Sequence, residues 1–178
     1  TRHAAALRAS WQPAQVQPEP GRRLRVGFVS GDLRQHAVAY FIAPIWRAWN
    51  HADMVLVVFN NHHRHDATTH ELRALCDEWH DIWKLDDAAL AEHIRQQGID
   101  VLVDLSGHTA HHRLLTFARK PAPVQVTAIG YPHTTGLQAM DYRLTDRHRT
   151  PAALAAQYIE KLVWIPCAAA FEHGPAPD

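Results

Sequence analysis

Residues 24–41 read LRVGFVSGDLRQHAVAYF. The first seven form an apolar run of strand type, and over about 38–49 Phe41, Ile42, Ile45 and Trp49 recur at helical spacing. Between strand and helix lies SGDLRQH, small and acidic with one histidine, His36. A strand that ends on Gly and Asp and turns at once into a helix opens a β-α-β unit. In open parallel sheets, ligands sit beyond the carboxyl ends of such strands. His36 has two readings there. Its reference pKa of about 6.5 suits a general base near neutral pH, and the same position suits a residue that caps or packs on the helix. Position alone leaves both open.

The alternation continues outward. MVLVVFN (54–60), DVLVDLSG (100–107), VQVTAIG (124–130) and DYRLTD (141–146) read as strands, with a shorter WHDIWKL (79–85) and an edge strand in EKLVWIP (160–166). Near-continuous apolar runs are what strands buried on both faces require. Helices are expected over 68–78, capped by Thr68 or Thr69, and over 86–98, opened by acidic residues and closed by Gly98. Shorter ones are expected at 110–118, with His111 and His112 in the first turn, and at 151–158, with Pro151 in the first turn. The pattern predicts an α/β fold: a doubly wound, mostly parallel, Rossmann-like sheet. Residues 1–21 read as the end of a helical element and a Pro- and Gln-rich linker, and 22–178 as the domain proper.

Composition narrows the function classes. Lys+Arg and Asp+Glu balance at 18 each, which gives no electrostatic footprint for nucleic acid or a membrane surface. No apolar run reaches membrane-span length and residues 1–20 lack a signal-peptide core, so a cytoplasmic location is expected. Cys76 and Cys167 stand far apart, with Cys76 expected to be a buried free thiol. The excess of histidine, 15 in all, is concentrated partly in NHHRHD (61–66). That cluster crowds a polar loop with no second group of matching spacing, so it reads as a solvated loop rather than a metal site. GFVSGD is not GxGxxG, and neither a Walker loop nor a GxSxG elbow occurs.

Three segments at strand ends remain: SGDLRQH, SGHTAHH and GYPHTTG. Each joins glycine to Ser, Thr or His, and together they predict a ligand rim. His108, directly after Gly107, is better placed to face a ligand than His111 or His112.

Taken together, LRVGFVSGDLRQHAVAYF, DVLVDLSGHT, RLLTFARKPAPVQVTAIGYPHTTG and MDYRLTD resemble the O-GlcNAc transferase family, from about Arg22 to Pro166 and nearest to bacterial members. The resemblance implies the N-terminal half of a GT-B glycosyltransferase. Such an enzyme transfers N-acetylglucosamine from UDP-GlcNAc to Ser/Thr hydroxyls of proteins, with inversion and with no cofactor or metal. It implies as partners a C-terminal UDP-binding half, N-terminal tetratricopeptide repeats and protein acceptors, and it implies that this half alone is inactive. Position by position, it makes His36 the active-site histidine, as base or positioning group. His108 and Thr109 would line the cleft, and Gly130, Tyr131, Pro132, Thr134 and Thr135 would form the turn near the sugar. Departures stand at Ala37 (often Pro), Ala128 (often Trp) and His133 (often Gly). They leave the fold assignment intact and bear on acceptor choice. A non-catalytic Rossmann-like module binding a peptide or sugar nucleotide is the alternative.

Overall fold

A computed structural model describes residues 6–11 and 21–168. Residues 1–5 and 12–20, where most of the expected linker falls, lie outside the described residues, as do 169–178. Seven strands form one sheet: β1 (Leu24–Ser30), β2 (Met54–Asn60), β3 (Glu78–Asp81), β4 (Val101–Asp104), β5 (Val124–Thr127), β6 (Tyr142–Thr145) and β7 (Lys161–Trp164). Their order is β3-β2-β1-β4-β5-β6-β7 and every pairing is parallel. β1 lies between β2 and β4, with Val29 opposite Phe59 on one side and Asp104 on the other. The strand order therefore reverses between β1 and β4, and loops leaving these two strands open a crevice.

Helices cover the sheet according to their apolar stripes. On one face α1 (Ala37–Arg47) buries Val38, Ala39, Ile42 and Trp46, and α2 (Ala67–Ala74) buries Leu72, against Val26, Phe28, Leu56 and Val58. On the other face α3 (Asp87–Gln96) and α4 (Leu114–Phe117) bury Leu90, Ile94, Leu114 and Phe117 against Val57, Phe59 and Leu102. Leu7 packs on this second face, where Trp11 Nε1 donates to Ala118 O at 2.8 Å. Right-handed crossovers place the β4–β5 connection on the α3/α4 side. The α1 face of β4, β5 and β6 is thus left as an apolar groove of about 840 Å³. Ala128, standing where the family often has tryptophan, lines that groove.

Several elements are shorter than their sequence pattern. β3 stops at Asp81: Ile82 N closes the ladder on Asn60 O, and Leu85 N then turns back to Ile82 O. β5 stops at Thr127 because Ile129 takes a left-handed φ of 66°. The helix expected at 110–118 begins only at Leu114, since His111 has φ 58°, so His111 and His112 precede it and are exposed. Residues Ala152–Gln157 form a 3-10 helix, with Pro151 as its N-cap rather than in its first turn. Cys76 is only half-buried, but burial still pushes its thiol up to about 12. Among the described residues no helix is long and apolar enough to cross a membrane.

The cap of α2 is Asp66, not Thr68 or Thr69. Asp66 accepts from Thr69 N at 2.9 Å, and Thr69 Oγ1 accepts in turn from Asp66 N at 3.2 Å, a reciprocal capping box. Asp66 also accepts from Gln35 N at 2.7 Å, which ties α2 to the segment carrying His36. Burial raises its pKa, but the hydrogen bonds from Gln35 and Thr69 and the Arg34 charge outweigh it and hold the carboxyl below the ordinary value. A carboxyl depressed in the folded state stabilises above its unfolded pKa and loses that contribution as pH falls through the folded value. Asp66→Ala should destabilise by about 1 kcal/mol at neutral pH. The difference from the parent should persist down to the ordinary carboxyl value of about 3.9 and shrink only as pH falls from there through the lower folded value, measured by urea unfolding across that range.

Candidate active site

The loops leaving β1, β2, β4 and β5 close on one another at the carboxyl edge of the sheet. Asn61, after β2, binds Ser30 O through its N–H at 2.7 Å and His111 O through Nδ2 at 2.7 Å. Arg113 Nη2 donates to Asn61 Oδ1 at 2.8 Å. The approach needs residues without side chains. A Cβ on Gly31 would stand 2.6 Å from His111 Cβ, and one on Gly107 2.2 Å from Tyr131 Cβ. A Cβ on Gly130 would stand 1.9 Å from Leu105 O. The glycines at these strand ends are therefore a packing requirement as well as turn punctuation.

His36 is the N-cap of α1, in extended backbone. Its Nδ1 accepts the N–H of Val38 at 3.2 Å, so in the neutral ring the proton sits on Nε2. Nε2 lies 3.9 Å from Asp32 Oδ1, beyond hydrogen-bond range, and the side chain is 39% exposed. Asp32 is buried, with its N–H on Ser30 Oγ at 3.0 Å. The polar contacts of His36 are thus local, and its Nε2–H is left near the crevice. Ala37 occupies the first helical position, the one most compatible with the family's proline.

The other predicted residues form one unit. Asp104 ends β4 fully buried and accepts from Ser106 N (3.1 Å), Gly107 N (2.9 Å) and Thr127 Oγ1 (2.8 Å). Burial pushes its carboxyl up, against the pull of those donors. This side chain shapes the loop that carries His108 and Thr109. Thr109 Oγ1 donates to Ser106 O at 2.8 Å, which closes the turn. His108 Nε2 lies 2.9 Å from Thr135 O, and its ring meets Tyr131 edge-on at 5.2 Å.

The Gly130–Gly136 turn is held from behind. Arg143, buried on β6, donates to Tyr131 O (2.7 Å) and His133 O (2.9 Å). Burial lowers its pKa, while the charges of Tyr158, Glu160 and Asp104 oppose the shift. Glu160, 3% exposed, accepts from Thr134 Oγ1 at 2.7 Å, Thr135 N at 2.6 Å and Thr135 Oγ1. Thr135 is buried and both threonine hydroxyls face Glu160, so these two residues build the turn from within. Pro132 and His133 are exposed, and His133 stacks on Tyr158 at 5.0 Å and 13°. His133 is not in the left-handed region, so a side chain is tolerated where the family often has glycine.

The histidines of NHHRHD lie beside this rim. His63, Arg64 and His65 are exposed, and His65 pairs with Asp81 at 3.1 Å. Burial lowers the pKa of His62, and the charges of Arg34, His63 and His111 reinforce that against a hydrogen bond to Arg64. Among the described residues no group of three His, Cys, Asp or Glu side chains could hold a metal ion. The apolar groove lies along the α1 face of the sheet, and Leu105, Ala128, Ile129 and Pro132, on the loops after β4 and β5, are among the residues that line it. Sequence reasoning missed Asp104, Arg143 and Glu160. For Asp104 and Arg143 the available signal was a charged residue at the end of, or within, a strand otherwise fit for burial.

Residues 4–173 match glycosyl transferase family 41. The chain belongs to that family. Among its relatives is a tomato (Solanum lycopersicum) protein described as a probable UDP-N-acetylglucosamine–peptide N-acetylglucosaminyltransferase SPINDLY. It is 38% identical over 161 residues, which cover 88% of this chain and 17% of that protein. The SEC protein of Arabidopsis thaliana, with the same described activity, is 33% identical over 154 residues, 85% of this chain and 16% of its own length. A solved variant of the Thermobaculum terrenum O-GlcNAc transferase superposes with a TM-score of 0.82 at 46% identity. It covers 93% of this chain, and the match takes up 34% of that structure. The family 41 chain described here therefore spans about one sixth of these curated relatives and one third of the solved one. Its all-parallel Rossmann-like sheet is the fold that the sequence pattern predicts.

Proposed function

We propose that the protein containing this chain transfers N-acetylglucosamine from UDP-GlcNAc to Ser/Thr hydroxyls of proteins with inversion. This chain would build the half of the cleft that faces sugar and acceptor. The observation that carries the reading is the coincidence of His36, His108 and the Gly130–Thr135 turn on loops after β1, β4 and β5, where the strand order reverses. The activities named for the relatives supply the donor and the reaction class.

In this reading the acceptor hydroxyl attacks the anomeric carbon in line as the bond to UDP breaks, and the hydroxyl proton passes to an oxygen of the departing diphosphate. The rim contributes mainly position. His36 would hold a hydroxyl through Nε2–H rather than act as base. Its Nδ1 lone pair is engaged by Val38, and freeing it would forfeit a cap of about 1 kcal/mol, a roughly fivefold bias. The charge that develops on the diphosphate falls to a C-terminal half, and tetratricopeptide repeats on the N-terminal side would recruit acceptors. No step is assigned to a metal or a cofactor, and two unpaired cysteines suit the cytoplasm.

The test is transfer from UDP-GlcNAc to an acceptor peptide by the full-length protein, with a chelator present and the anomeric configuration of the product read by NMR. The isolated 178-residue chain should turn over nothing. A non-catalytic binding module would show peptide or nucleotide binding with no product from either form.

A further inference from the structure

We propose that Glu160 is a positioning residue: acting through Thr135, it holds His108 with Nε2 protonated, so that Nδ1 faces the cleft as a hydrogen-bond acceptor for a hydroxyl. The proposal rests on the reading that this rim binds sugar and acceptor. It concerns residues one and two steps behind that surface.

Glu160 directly precedes β7 and is all but fully buried. Its two oxygens take three donors from two consecutive residues: Thr134 Oγ1, Thr135 N and Thr135 Oγ1. Hydrogen bonds to an ionised acceptor are among the stronger ones, and three on one carboxylate fix the peptide of Thr135. The carbonyl of that residue faces His108 Nε2 at 2.9 Å. A carbonyl can only accept, so Nε2 must carry a proton, and the neutral imidazole then has its one free lone pair on Nδ1. Among the described residues Nδ1 of His108 has no hydrogen-bond partner, and the residue is exposed on the rim. Tyr131 supports the ring edge-on, and Arg143 fixes the Tyr131 and His133 carbonyls. A buried carboxylate thus sets which nitrogen of a rim histidine meets substrate. The matching ligand group is a hydroxyl, which donates to Nδ1.

The test is a double-mutant cycle in the full-length enzyme, with wild type, Glu160→Gln, His108→Ala and the double variant. Gln is isosteric with Glu but cannot accept three hydrogen bonds on its two terminal atoms. Each single variant should lower kcat about tenfold with the KM for UDP-GlcNAc within about twofold of wild type. The double variant should be no slower than His108→Ala. Multiplied losses of about a hundredfold would overturn the proposal, because a merely structural role for Glu160 acts equally in both backgrounds. Histidine 15N spectra give a readout without activity, with the His108 signal assigned by its loss in His108→Ala. Wild type should show a protonated Nε2 and a bare Nδ1, and Glu160→Gln a mixture of tautomers. An unchanged tautomer in Glu160→Gln would sink the proposal. No transfer by wild type, with the tautomer shift present, would count against the transferase reading alone. If Glu160→Gln fails to fold, Thr135→Val removes one of the three hydrogen bonds and is read by the same two measurements.

Discussion

His36→Asn in the full-length protein is expected to cut transfer on the order of 10²-fold while leaving UDP-GlcNAc binding and stability near the parent's. The substitution separates two roles that one side chain carries. As N-cap, His36 satisfies the Val38 N–H at the start of α1. Asn caps at least as well, so the helix loses nothing. As a rim group, His36 offers an Nε2–H near the crevice between β1 and β4. Asn is shorter and cannot place a donor at that point. His36→Ala loses both roles, with the same fall in rate and a further destabilisation of about 1 kcal/mol. Steady-state kinetics, calorimetric titration with UDP-GlcNAc and thermal melts distinguish the cases. Full activity in His36→Asn would make His36 a cap and nothing more.

Gly130→Ala should give the largest structural effect. Its Cβ would lie 1.9 Å from Leu105 O, 2.9 Å from Leu105 C and 3.2 Å from Ser106 Cα, all backbone atoms. No rotamer relieves that clash. The loop after β4 must move away from the turn after β5, and it carries His108 and Thr109. A destabilisation of about 3 kcal/mol is expected, with transfer lost in whatever protein folds. The control is Gly136→Ala. Gly136 has φ 70°, but a Cβ there would meet nothing within 4 Å, so only backbone strain of about 1 kcal/mol applies. Thermal melts of both variants check the contrast, and equal shifts would show that close approach is not what Gly130 provides.

The sheet was legible because its strands are nearly continuous apolar runs. LRVGFVS and MVLVVFN begin and end where the pattern says, as strands buried on both faces must. Boundaries were lost where tertiary contacts override local pattern. The α2 cap moved to Asp66 because its carboxylate also serves Gln35, and the helix near 110–118 shrank because His111 takes a left-handed turn to let Asn61 reach its carbonyl. The rim histidines were legible from position, at strand ends with glycine beside them. Glu160 was not, because it lies 25 residues from Thr135 in sequence and only the fold brings them together. The two threonines illustrate the same limit, since side chains that read as ligand contacts turn inward to Glu160.

In the function proposed above, this chain is one wall of a cleft in which UDP-GlcNAc gives up its sugar with inversion. The most direct measurement is NMR of the first-formed product when the full-length protein acts on an acceptor peptide. The proposed function requires N-acetylglucosamine on a Ser or Thr hydroxyl in the β configuration, opposite to the donor's, with a rate unchanged by chelator and absent for the isolated chain. A product of retained configuration, or turnover by the 178-residue chain alone, would contradict it.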